Sequence, residues 1–122
     1  MRRALLTTGF SALLAMLAAA PALAEYGAFA LEEATGKYGM SWNEANSRQA
    51  EDVATKACNA KGCKIVFSVG PKECGAIATT DEGKAWGGAR KHTKAEAELA
   101  AIQNCQKNTK LQCKLRGAEC NR

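Results

Sequence analysis

The chain has 122 residues, 17 Lys and Arg against 12 Asp and Glu for a net charge of +5, and six cysteines. That length gives one domain with a modest core. No phosphate-cradling glycine loop and no Gly-x-Ser-x-Gly turn occurs, so neither nucleotide-binding nor serine-hydrolase chemistry is signalled.

The first residues, Met1-Arg2-Arg3, are followed by an uncharged apolar run from Ala4 to about Ala20 and then by Pro21-Ala22-Leu23-Ala24. A basic start, a short apolar centre and small residues at Ala22 and Ala24 are the layout of a secretory signal peptide over 1–24, cut after Ala24. The run is near the lower limit of the ~20 residues needed to cross a bilayer. Nothing after it is apolar enough to span, so residues 25–122 are expected as a soluble periplasmic or secreted domain.

The exported part opens on Tyr26-Gly-Ala-Phe-Ala30, a predicted strand. A Gly-bearing turn, Glu33-Ala34-Thr35-Gly36-Lys37, leads to Tyr38-Gly39, and the two stretches form a predicted hairpin. Asn46 with Gln49 marks a helix start. Ala50, Val53, Ala54 and Ala57 recur at helical spacing up to Cys58. Lys64–Val69 is the best single strand. The order then repeats. Cys74-Gly-Ala-Ile-Ala78, the turn Asp81-Glu82-Gly83-Lys84 and the pair Trp86-Gly87 form a second hairpin. Thr93 with Glu96 makes a capping box, Ala97, Ala100 and Ala101 lead to Cys105, and Cys113–Arg116 is a weaker final strand. Corresponding features keep an offset of 46 to 50 residues, so the domain consists of two repeats, about 26–73 and 74–120. Each repeat is expected to be a ββαβ-like unit. Together they are expected to give an α+β fold: one antiparallel sheet with two helices packed on one face, held by disulfides.

An even cysteine count in a short exported chain signals a disulfide framework, with three cysteines expected per copy. Cys58, Cys63, Cys74, Cys105, Cys113 and Cys120 allow fifteen pairings. One that tolerates exchange of the copies is Cys58–Cys63, Cys105–Cys113 and Cys74–Cys120, and it is preferred. A metal is not expected: Cys58-x4-Cys63 is near a zinc spacing, but no second tight pair exists and His92 is the only histidine. No cofactor is expected.

Tyr-Gly-Ala-Phe-Ala, Thr35-Gly-Lys-Tyr-Gly-x-Ser-Trp42, Ser47-Arg-x-Ala-Glu51 before an alanine helix ending in Cys, and Cys-Gly-Ala-Ile-Ala resemble a family of small secreted bacterial domains, domain of unknown function four-one-eight-nine. The resemblance covers about residues 26–120. It implies an exported bacterial protein, an α+β fold and paired cysteines, and it implies no activity and no catalytic residues. Gly87-Gly88-Ala89-Arg90 departs from the family pattern.

No catalytic constellation is visible. His92, among Arg90, Lys91 and Lys94, is expected in an exposed loop, and the acids are scattered. Trp42 and Trp86 are expected to pack in the core; if partly exposed beside Tyr38 and Met40, a Trp would anchor a protein partner. Net charge is −2 over residues 25–89 and +5 over 90–122. Trp42, Trp86, Arg90, Lys91, Lys114 and Arg116 are therefore the candidate partner-binding residues. The expected partner is an acidic protein or an anionic envelope surface. Nucleic acid is not expected, since aromatics do not interleave with the basic run. The expected function is a non-enzymatic envelope or secreted binding module, of inhibitor, immunity or effector type. A small cell-wall hydrolase and a structural envelope component are the alternatives.

Overall fold

The computed structural model describes residues 25–122; the signal-peptide reading lies outside the described residues. The first repeat contains β1 (Tyr26–Leu31), β2 (Tyr38–Glu44), α1 (Ser47–Cys58) and β3 (Lys64–Val69). The second contains β4 (Cys74–Thr79), β5 (Trp86–Lys91), α2 (Lys94–Gln106) and β6 (Lys114–Cys120). The ββαβ order and the α+β class are as expected. Both helix starts follow from their caps: the Asn46 side chain accepts from the Gln49 N–H and the Thr93 hydroxyl accepts from the Glu96 N–H.

The strands form two antiparallel sheets, β2-β1-β3 and β5-β4-β6, where one sheet was expected. The helices cover opposite outer faces instead of sharing one. The reason lies in the two central strands, which carry no charge and are buried on both sides from Gly27 to Leu31 and from Cys74 to Thr79. On one side of β1, Ala28 and Ala30 meet Ala50, Ala54 and Cys58 of α1. Ala76 and Ala78 of β4 likewise meet Ala97, Ala101 and Cys105 of α2. On the other side, Phe29, Val69 and Ile77 form a central cluster with Met40, Trp42, Val66, Phe67 and Trp86. One helix can cover only one face of a sheet, so each sheet covers the inner face of the other. The layers run α1, first sheet, second sheet, α2.

Small residues set the spacing of the outer layers. A Cβ on Gly39 would lie 2.2 Å from the Ala54 carbonyl oxygen, and one on Gly87 would lie 2.1 Å from the Cys105 nitrogen. The aromatic-Gly pairs of the two repeats are therefore the sites of closest helix approach. The two turn glycines, Gly36 at φ 76° and Gly83 at φ 68°, meet each other; a Cβ on Gly83 would lie 2.1 Å from the Gly36 Cα. The repeats are thus joined at their turns as well as through their sheets.

The register repeats too. Phe29 stands opposite Met40 and Phe67; Ile77 stands opposite Gly88 and Gly117. Each outer strand on the far side carries a bulge at the same place, at Val66 between Phe67 and Ile65 and at Arg116 between Gly117 and Leu115. The final strand runs to Cys120, beyond the expected end at Arg116, because Gly117 sits under Met40 and Cys120 is bonded to Cys74. β5 pairs with β4 along its whole length despite Gly87-Gly88.

The disulfides are Cys58–Cys63, Cys105–Cys113 and Cys74–Cys120, the preferred pairing. The expected three cysteines per copy are corrected to two and four. Cys74 is the first residue of β4 and pairs directly with Cys120, so this bridge closes the second repeat alone. Tyr26 and Gly70 occupy the matching positions in the first repeat. In the chain-entropy picture the bridge separated by 46 residues stabilises by about 4 kcal/mol and the one separated by 5 by about 2 kcal/mol.

Candidate functional site

The sequence-derived candidates divide between structural tasks. Trp42 and Trp86 are half-buried in the cluster between the sheets, and Trp42 meets Phe29 edge-on with centroids 5.2 Å apart. Arg90 reaches across the sheets and donates to the Ser68 carbonyl at 3.3 Å. Lys91 is exposed opposite Cys74 at one end of β4. Lys114 lies at the other end, opposite Thr79, with Arg116 in the β6 bulge two residues on, about 17 Å away at ~3.4 Å per residue. There they hold the β4–β5 turn. Lys114 pairs with Asp81 at 2.9 Å, while Arg116 donates to the Thr79 hydroxyl at 2.8 Å, the Thr80 carbonyl at 3.2 Å and Asp81 at 3.4 Å. The Lys114 ammonium, with Arg116 behind it, holds the Asp81 carboxyl below its usual range. The six residues therefore do not make one patch.

His92 is exposed between β5 and α2. Every cysteine is in a disulfide, and among the described residues no three His, Cys, Asp or Glu side chains converge as a metal site requires. No described helix is long and apolar enough to cross a membrane. Three disulfides suit an oxidising compartment outside the cytoplasm.

The repeats differ most where turn meets loop. In the first, Glu32 closes the gap between the β1–β2 turn and the α1–β3 loop. Its carboxylate accepts from the Gly62 N–H at 2.7 Å and from the Thr35 hydroxyl at 2.6 Å. Those two donors, Thr35 foremost, hold the Glu32 carboxyl below its usual range. In the second repeat Thr80 stands in that place and accepts instead from the Ala85 N–H of its own turn. The gap stays open as a cleft of about 210 Å³ lined by Thr80, Asp81, Glu82, Lys84, Leu111 and Gln112. Leu111 is 62 % exposed there, and Leu115 at the start of β6 is 38 % exposed.

Neither leucine was singled out from the sequence. The available signal was spacing: Cys105 to Cys113 spans 8 residues against 5 for Cys58 to Cys63, and the extra loop carries Leu111. A larger, shallow groove beside the end of α1 is lined by Thr55, Lys56, Asn59, Ala60 and Lys61.

A search of curated proteins finds no match, and a search of solved structures finds none. The family model described as Domain of unknown function (DUF4189) matches residues 26–120, nearly all of the described fold, and the chain belongs to that family.

Proposed function

We propose that the protein is a non-enzymatic binding module of the bacterial envelope, acting as an inhibitor, immunity-type protein or effector through the open cleft of its second repeat. One observation carries this reading: Leu111 is held out to solvent on a disulfide-closed loop beside a cleft that the first repeat closes with Glu32. A leucine in that setting costs solubility and contributes nothing to the core, whereas an apolar anchor within a polar rim is the usual centre of a protein interface. Lys84 pairs with Glu82 and Lys114 with Asp81 at the cleft, so its rim is polar and charge-balanced and would set a partner's register.

The test is capture from an envelope extract by immobilised protein, compared quantitatively with Leu111→Asp and with Leu99→Asp, a control on α2. A partner lost with Leu111→Asp and kept with Leu99→Asp supports the reading. Identical capture by all three forms overturns it.

A further inference from the structure

The first repeat shows what the gap between turn and loop can hold. Leu31 ends β1 opposite Lys64 and Thr79 ends β4 opposite Lys114, so Glu32 and Thr80 are equivalent positions. Gly62 and Gln112 are equivalent as well, each standing just before the second cysteine of its loop bridge. The turn backbones agree. The Glu32 N–H donates to the Lys37 carbonyl as the Thr80 N–H does to Ala85, and the Thr35 N–H donates to the Glu32 carbonyl as the Gly83 N–H does to Thr80. The frame is kept, and the side chain that spans it is changed. In the first repeat a carboxylate takes the loop amide of Gly62 and a turn hydroxyl. In the second, position 80 has no carboxylate.

The donors of the second repeat are still in place. The Leu111 N–H is taken by the Thr109 hydroxyl and the Cys113 N–H by the Gln106 side chain, but among the described residues nothing accepts from the Gln112 N–H between them. The Thr80 hydroxyl accepts from the Ala85 N–H and, among the described residues, gives its own proton to no acceptor, although Thr80 is only 2 % exposed. A donor buried to that degree costs free energy while unpaired. Both residues line the open cleft. The acids there are already engaged, Glu82 by Lys84 and Asp81 by Lys114 and Arg116. An incoming anion meets two free donors and no unpaired acid. An N–H and an O–H, one for each oxygen, suit a carboxylate.

We propose that the open cleft is a carboxylate subsite: an acidic side chain of the protein partner enters it and accepts from the Gln112 N–H and the Thr80 hydroxyl. The contact that Glu32 makes within the first repeat is then made between two chains by the second. An apolar neighbour of that acid rests on Leu111. The assignment rests on the binding-module reading and adds the chemistry of the partner.

Nuclear magnetic resonance of the oxidised protein tests it. Wild type is titrated to millimolar concentration with three peptides: acetyl-Leu-Glu-Leu-amide, acetyl-Leu-Gln-Leu-amide, and acetyl-Leu-Gln-Leu with a free C-terminus. Only the glutamate peptide is expected to shift the Gln112 amide saturably. Thr80→Glu, which copies the first repeat, is expected to abolish that response and to slow exchange of the Gln112 amide about tenfold, the effect of one hydrogen bond. An equal response to the neutral peptide, a response to the free terminus alone, or no response in wild type overturns the proposal. So does an unprotected Gln112 amide in Thr80→Glu protein that keeps its circular dichroism and three disulfides. Capture from the envelope extract separates the two readings. Loss with both Thr80→Glu and Leu111→Asp supports both. Loss with Leu111→Asp alone keeps the cleft as the binding surface and overturns the carboxylate subsite. Capture unchanged by either substitution overturns both.

Discussion

Ser41 shows how much one side chain can decide. Its hydroxyl is buried between β1 and α1, accepts from the Ala28 N–H at 3.1 Å and donates to the Ala50 carbonyl at 2.6 Å. The Ala28 amide is thereby satisfied where the β1–β2 pairing shifts register, between Tyr26 and Ala28. In the second repeat the pairing of β4 with β5 has no such shift, and Ala89 suffices at the matching position. Ser41→Ala leaves a buried N–H without a partner, which costs about 1–3 kcal/mol. Urea unfolding should show that loss; a change within the ~0.5 kcal/mol scatter of surface substitutions would contradict the assignment. In the sequence Ser41 stands in the Tyr38-Gly-x-Ser-Trp42 segment that carries the family resemblance, which assigns it no role. Its role depends on a register shift that no local pattern encodes.

The individual elements were largely legible, and the places where they were not are instructive. The helix caps at Asn46 and Thr93 are short-range hydrogen-bond chemistry, so sequence spacing reveals them. The strand Lys64–Val69 is β-branched and aromatic and was plain as well. The docking of turns against loops was hidden, because Glu32 and Gly62 are thirty positions apart and each is unremarkable alone. That contact has a pH signature. The folded carboxyl of Glu32 titrates below its unfolded value, so its contribution is complete above the ordinary glutamate pKa of about 4.3 and is lost as pH falls through the lower, folded value. Because the group is solvent-exposed, the effect is a modest one. Glu32→Gln should lower the melting temperature relative to wild type at neutral pH, and the gap should close on acidification toward pH ~3, below the ordinary carboxylate range. Faster exchange of the Gly62 amide should accompany the substitution at neutral pH. A gap unchanged across that range would place the stabilisation elsewhere.

At the scale of the whole molecule, the repeat was legible because glycines, alanines and cysteines recur at one offset. The split into two sheets was not, because it depends on how the inner faces of the two copies fit. Departures of the second copy from the first, such as Gly88 in the segment Gly87-Gly88-Ala89-Arg90, turn out to be the fit itself. The first repeat supplies large side chains to the seam and the second supplies glycines. Phe67 of β3 sits on Gly88 of β5, and Met40 of β2 sits on Gly117 of β6. Met40 and Gly88 are equivalent positions, as are Phe67 and Gly117. Two identical first copies would therefore set Met40 against Phe67 and overfill the seam, while two second copies would leave it empty. The two contacts should not yield equally. A Cβ on Gly88 would lie 2.3 Å from the Phe67 ring, which is stacked on Phe29 with centroids 4.3 Å apart and has nowhere to go. A Cβ on Gly117 would lie 2.4 Å from the terminal methyl of Met40, the flexible end of an unbranched side chain that can swing aside. Gly88→Ala should cost about 1–3 kcal/mol in denaturant unfolding, the usual range for overpacking, and Gly117→Ala clearly less. Phe67→Leu introduced beside Gly88→Ala should recover part of the loss, giving a non-additive cycle, since the two residues share one contact. Equal costs for the two glycines, or strict additivity in that cycle, would mean that the seam is not built by large residues of one copy entering the gaps of the other.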